Sequence, residues 1–197
     1  MVRCGRFERV MPLPPLGIFD GVAAGSATSF ESIATVTIGA GGSSSVDFTS
    51  IPGTYSHLQV RAFMRTNYSG FADGVSYRVN SDSGSNYKAH FLRGSGSSAS
   101  AGVDTATSNF AGDIAGNGSA SSTFAAIVLD ILDYANTNKY KTSRDLVGID
   151  NNGNGYISLF SGLWISTSAI TSLTFFPTYG TSFSQYSHFA LYGIKSA

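Results

Sequence analysis

The sequence predicts an all-β fold: an antiparallel, jelly-roll-like β-sandwich of about ten strands, carried on an extended N-terminal arm. Three observations predict it. Short runs of alternating apolar and polar residues recur between clusters of Gly, Ser, Asn and Asp, as half-buried strands and their turns do. Charged residues make up only 12% of the 197, against 42% hydrophobic and 23 glycines. Ser, Thr, Asn and Gly must therefore solvate the surface, and those residues favour turns over helices. Finally, the first 30 residues show no alternation, and no fixed period repeats later, which argues against propellers and solenoids.

Residues 1–30 read as the arm and residues 31–197 as the sandwich domain. Within the arm, Met11-Pro12-Leu13-Pro14-Pro15-Leu16-Gly17 is extended, because each proline fixes its own φ and restricts the residue before it. Leu13, Leu16, Ile18 and Phe19 are poorly solvated unless something holds them, which makes them the candidate docking residues. Arg3, Arg6 and Arg9 precede an apolar patch as in a signal peptide, but Pro12, Pro14, Pro15 and Asp20 interrupt it, so export is not expected. Met11 is an alternative start.

Past the arm, Ile33 to Gly39 alternates, and Ser45 to Thr49 follows across Gly41-Gly42, predicting a hairpin. His57 to Thr66 points Leu58, Val60, Ala62 and Met64 inward and Gln59, Arg61, Phe63 and Arg65 outward, leaving Phe63 as the one apolar outward residue. Val75 to Asn80 and Tyr87 to Arg93 are the next strands. Gly94 to Ser122 is mostly Gly, Ser, Ala, Asn and Thr, and reads as a long inserted loop or short ribbon projecting from the sandwich. Phe124 to Tyr134 is nearly all apolar and predicts a strand buried on both faces; its β-branched and aromatic content favours strand over helix. Ser143 to Ile149, Tyr156 to Ser166, Thr171 to Phe176 and Ser187 to Ile194 complete the set.

Zero formal net charge removes any general attraction to nucleic acid, and no apolar run reaches the roughly 18 residues of a membrane helix. Neither nucleic acid nor membrane insertion is expected. The single cysteine, Cys4, excludes an internal disulfide.

Asp150-Asn151-Asn152-Gly153-Asn154-Gly155 matches the first half of a calcium loop, but Ser161 stands where a bidentate Glu is required. Asn-Gly is equally a hairpin signal, so a tight turn between antiparallel strands is expected, without a metal. His57, His90 and His188 stand apart from one another and from Cys4, in no ligand spacing. Asp130 and Asp133 are the available carboxylate pair; three apart in a strand they face opposite ways, which disfavours joint catalysis and suits pairing with Lys139, Lys141 or Arg144. Nucleotide-binding and serine-nucleophile motifs are absent. No catalytic residue, metal or cofactor is therefore expected. Phe71, Tyr134, Tyr140, Tyr156, Trp164, Tyr179, Phe183 and Tyr186 are candidates for a sugar-stacking face, core or protomer contacts. Of the exposed set, Phe63, Trp164, Tyr179 and Tyr186 are the candidate contacts to another copy or to a glycan.

Five runs carry a likeness: Ile51 to Phe63, Asp82 to Tyr87, Ile131 to Thr142, Leu159 to Trp164, and Phe183 to Lys195. Together they resemble small structural virion proteins of tailed bacteriophages, as in marine and freshwater (cyanobacterial) phages. The likeness runs from about residue 30 to the end and transfers no active site. It implies a non-enzymatic particle component on the virion surface, made in the host cytoplasm. A capsid decoration (cement) protein is expected, with a head or tail fibre subunit or receptor-binding, carbohydrate-binding module as the alternative. The expected partners are further copies in a homotrimer, a major capsid, neck or tail protein, and, for the alternative, a host surface glycan.

Overall fold

The computed structural model describes residues 29–195. The expected docking residues Leu13, Leu16, Ile18 and Phe19, and the arm up to residue 28, lie outside them.

Among the described residues the fold is all-β, with twelve strands: β1 (Phe30–Thr37), β2 (Val46–Phe48), β3 (His57–Met64), β4 (Ala72–Val79), β5 (Tyr87–Gly94), β6 (Ala99–Ala106), β7 (Asn109–Ala115), β8 (Ala125–Leu132), β9 (Lys141–Asn151), β10 (Asn154–Trp164), β11 (Leu173–Pro177) and β12 (His188–Ile194). They form two sheets with antiparallel neighbours, an eight-stranded one ordered β1-β12-β3-β8-β9-β10-β5-β6 and a four-stranded one ordered β2-β11-β4-β7. The chain crosses between sheets at β1–β2, β2–β3, β3–β4, β4–β5, β6–β7, β7–β8, β10–β11 and β11–β12. The strands β1-β12-β3-β8 facing β2-β11-β4-β7 thus make a jelly-roll frame. Two hairpins, β5–β6 and β9–β10, are inserted between frame strands and widen the larger sheet past β8.

Alternation builds the interior. Leu58, Val60, Ala62 and Met64 of β3 are buried as their spacing predicts, and Ala125, Ile127, Leu129 and Ile131 of β8 face the same way. Phe189 sits at the centre, its ring 5.0 Å from Phe183 and 5.8 Å from Phe175. Gly112, at φ 123°, lies where β7 bulges against Val75/Ser76 of β4. A Cβ there would strike the Val147 side chain and come within 3.2 Å of Phe160, so glycine is needed for both conformation and space.

Four expectations change. β1 and β2 form no hairpin: after Gly41 and Gly42 the chain crosses to the other sheet, where β2 pairs with β11 while β1 pairs with β12. A crossover and a hairpin look alike locally, because both are two alternating runs around glycines. Gly94 to Ser122 is not a long loop but contributes β6 and β7, one to each sheet. β6 is a sheet edge and mostly exposed, so it carries Ala, Ser and Gly without cost. β8 is a strand, as expected, but only one of its faces is buried; Val128 and Leu132 point to solvent. The strand total is twelve where about ten were expected.

Asn152-Gly153 closes β9–β10 as a two-residue turn, with Asn151 opposite Asn154 and φ of 49° and 100° at the two turn residues. Positive φ at both positions is the geometry that makes Asn-Gly a hairpin sequence.

Candidate interaction surface

The larger sheet buries one face under the smaller sheet and leaves the other outward. Opposed across four strands of that outward face are Leu92 of β5, Leu159 of β10, Leu146 of β9 and Val128 of β8. Leu92 is 56% exposed and Leu146 52%. Two residues along, the next row reads Gly94, Ile157, Gly148, Ala126, Phe63 and His188, with Ile157 62% exposed. A leucine ridge therefore runs beside a furrow row that is low at Gly94, Gly148 and Ala126, with Ile157 standing between the two glycines. The furrow deepens into a groove of about 560 Å³ bordered by Phe124, Tyr156, the Ser95-Gly96 turn and the Asn152-Gly153 turn. On the ridge's other side lies a polar row: His90, Ser161, Arg144, Asp130 and Gln59. Gln59 donates to Asp130 at 2.7 Å and accepts from Arg61 at 2.8 Å.

Soluble chains rarely leave a contiguous patch of branched aliphatic side chains outward. Here the pattern is inverted at two points. β9 turns Asp145 inward and Leu146 outward, and β10 turns Ser158 inward between the outward Ile157 and Leu159.

The residues expected to make contacts do not converge on this face. Phe63 lies at its margin, stacked on His188 at 5.3 Å with Phe124 edge-on at 6.1 Å. Trp164 is corrected to a core residue: it is 4% exposed, and its indole N–H donates to Asp82 at 2.7 Å, so it offers no surface for a partner. Tyr134 and Phe183 are likewise buried. Tyr179 and Tyr186 are exposed, both in the connection between β11 and β12. Tyr179 packs at 5.7 Å on Tyr68. Sequence reading missed Leu92, Leu146, Ile157 and Leu159; the signal that finds them is the polar inward neighbour in the same strand.

The polar groups beside Tyr179 are already engaged within the chain. Asp73, buried, accepts from Thr66 Oγ1 at 2.7 Å and from the backbone N–H of Tyr179 and Gly180 at 2.9 and 3.0 Å. Asn67 accepts from the N–H of Thr181 and Ser182. Elsewhere the buried Arg65 guanidinium donates to four carbonyls, of Asn117, Ser119, Ala120 and Thr123, and so holds the loop between β7 and β8. Lys141 Nζ binds the carbonyls of Asn136, Lys139 and Thr167. Asp133 pairs with Lys139, which holds its carboxyl below the usual range.

Between the sheets, Tyr77 donates to Ser143 at 2.8 Å and accepts from Asn109 at 3.0 Å. Asp145 is buried with neither carboxylate oxygen hydrogen-bonded among the described residues. Burial pushes its pKa well up, Asp130 adds to that, and Arg144 opposes it. Arg93 of β5 lies 2.6 Å from Asp113 of β7, an ion pair tying inserted strand to frame, close in distance though not aligned as a hydrogen bond. Burial raises the Asp113 carboxyl and Arg93 opposes the rise. Among the described residues no three His, Cys, Asp or Glu side chains gather as a metal centre would need.

In comparison with known proteins, no family model, curated protein or solved structure matches the chain.

Proposed function

We propose that the chain is a non-enzymatic structural component of a tailed-phage particle, a capsid decoration (cement) subunit built for contact over a broad surface. The observation that carries this reading is the outward face of the larger sheet, with Leu92, Leu146, Ile157 and Leu159 in adjoining rows. A surface of that kind is suited to contact with other protein, because its gain comes from removing apolar area from water. The resemblance in sequence names the particle. Asp73, Arg65 and Lys141 are engaged in holding loops.

In this reading the subunit docks on a major capsid, neck or tail protein through residues 11–30, with Leu13, Leu16, Ile18 and Phe19 as the anchoring side chains. Prolines limit the free conformations of such a segment, so less entropy is lost on docking. The subunits associate as a homo-oligomer, for which the resemblance implies a trimer. Labelled protein added to purified particles tests the reading: decoration predicts saturable binding at hundreds of sites per particle, lost on removal of residues 1–28. Binding at a few sites per particle would favour the fibre reading.

A receptor-binding module stays as the second reading because of the exposed Tyr179, packed on the half-buried Tyr68, and the exposed Tyr186, flat rings of the type that stack on sugars. Glycan-array binding that Tyr179→Ala abolishes would establish it.

A further inference from the structure

We infer that the outward face of the eight-stranded sheet is the contact between copies of this chain, with the Leu92-Leu159-Leu146-Val128 ridge of one copy seated in the Gly94-Gly148-Ala126 furrow of the next. This rests on the homo-oligomer part of the proposed function and names the surface that associates; being isologous, the contact pairs two copies, in place of the trimer that the resemblance implies.

Shape is the first argument. Same-face rows in a strand lie two residues apart, about 6.6 Å. The ridge and the furrow are such neighbours, running in parallel across β5, β10, β9 and β8. Turning one copy face-down on another by half a turn therefore brings Leu92, Leu146 and Val128 of each copy over Gly94, Gly148 and Ala126 of the other, with Leu159 against Ile157. A face that carries both the knob and the hole is complementary to itself, as an isologous contact requires.

Charge agrees. Between β5 and β8 the ridge and furrow carry no charged side chain, and in the flanking row Asp130 stands opposite Arg144. Two such faces meet without a block of like charge, and the Asp130/Arg144 row becomes a polar rim.

Area is the third argument. The whole outward face, eight strands at about 4.8 Å and seven or so residues at about 3.3 Å, spans roughly 900 Å², of which the four strands that carry ridge and furrow supply about half. A stable interface takes about 800 Å² from each partner. Two sheets packed face to face at about 10 Å would give the ridge side chains the same surroundings as the interior of a sandwich. Other occupants fit less well. A glycan needs hydrogen-bonding groups, and the ridge and furrow between β5 and β8 present aliphatic side chains, alanine and glycine; a lipid surface calls for a basic rim, and here the rim is mixed.

Analytical ultracentrifugation of the full-length chain tests this, from about 1 to 100 μM, a range that detects dissociation constants typical of weak to moderate self-association. The wild type is expected at a multiple of 20.6 kDa. The double variant Leu146→Asp, Ile157→Asp is expected at the single-chain mass. Because aspartate disfavours strands, a second variant, Leu146→Thr, Ile157→Thr, Leu159→Thr, keeps β propensity and should weaken association at least tenfold with its circular dichroism unchanged. A wild type at single-chain mass throughout overturns the inference, as do folded variants that associate like the wild type. Removal of residues 1–28 should leave association intact; a single-chain mass for that variant would put the arm in the furrow and overturn the second copy as occupant. Particle binding plays no part in these readings, so the particle role can fail while the contact stands, or the reverse.

Discussion

The jelly-roll frame and the four inserted strands obey different rules. In the frame, β3 and β8 bury alternate apolar residues against the smaller sheet, and the aromatic cluster around Phe189 fills the centre. In the inserted strands, β9 and β10 place Asp145 and Ser158 inside and Leu146, Ile157 and Leu159 outside. The frame is organised by its own interior. The inserted strands bury Val147, Ile149, Phe160 and Trp164 as well, and differ from the frame in placing a carboxyl and a hydroxyl inward beside outward leucine and isoleucine side chains. The contact between copies inferred above draws mainly on these strands, with Val128 and Ala126 supplied by β8.

Substitutions that separate the two regions sharpen the comparison. The largest effect belongs to the frame: Phe189→Ala should cost about 3–5 kcal/mol in urea unfolding, since the ring is fully buried against Phe175 and Phe183. A loss below 1 kcal/mol would show the centre of stability to lie elsewhere. Gly112→Ala, at the seam where β7 meets the inserted β9 and β10, should cost about 1–3 kcal/mol through the clash with Val147 and the positive φ. An unchanged melting curve would mean that β7 can shift away from the inserted strands without penalty.

Asp145 gives the third effect. Its pKa is raised in the folded chain, so the folded state keeps a proton that the unfolded state releases above about 3.9. Stability from this group is therefore whole below that pH and falls as pH rises toward the folded value, with a slope of at most about 1.4 kcal/mol per pH unit. Asp145→Asn should match the wild type near pH 4 and exceed it at pH 8 in chemical denaturation; parallel pH profiles would refute this. The smallest effect belongs to the outward ridge: Leu159→Ser should change the unfolding free energy of the isolated chain by no more than about 0.5 kcal/mol. A larger loss would mean that the ridge supports the fold itself.

The same contrast explains what the sequence made legible. Frame strands announce themselves through alternation, as at Leu58, Val60, Ala62 and Met64, because their one apolar face is their buried face. The Asn152-Gly153 turn was readable because both residues tolerate the positive φ that a two-residue hairpin demands. β6 was not, because an exposed edge needs no apolar residue and Ala99 to Ala106 therefore resembles a loop. Trp164 was misassigned because an aromatic residue in a strand gives no sign of which face it takes; Asp82, remote in sequence, supplies the partner that lets the indole be buried. The candidate surface stayed hidden for a related reason. β10 carries apolar residues on both faces, so alternation does not mark one of them as outward, and only the position of the smaller sheet reveals which side is left uncovered.

β12 lies between β1 and β3, pairing with both. A ribosome delivers residues 188–194 after every other strand described in that sheet, so the nascent chain holds a vacant slot one strand wide, with the facing edges of β1 and β3 unpaired until β12 emerges. Unpaired edges invite pairing with another chain. Closing the slot also joins the sequence-distant β1 and β12, a slow kind of contact to form. A messenger cut short before residue 188 would therefore yield a chain with two open edges and an uncovered Phe175 and Phe183, a product prone to aggregate, whereas loss of β6 at the outer rim would leave the slot filled.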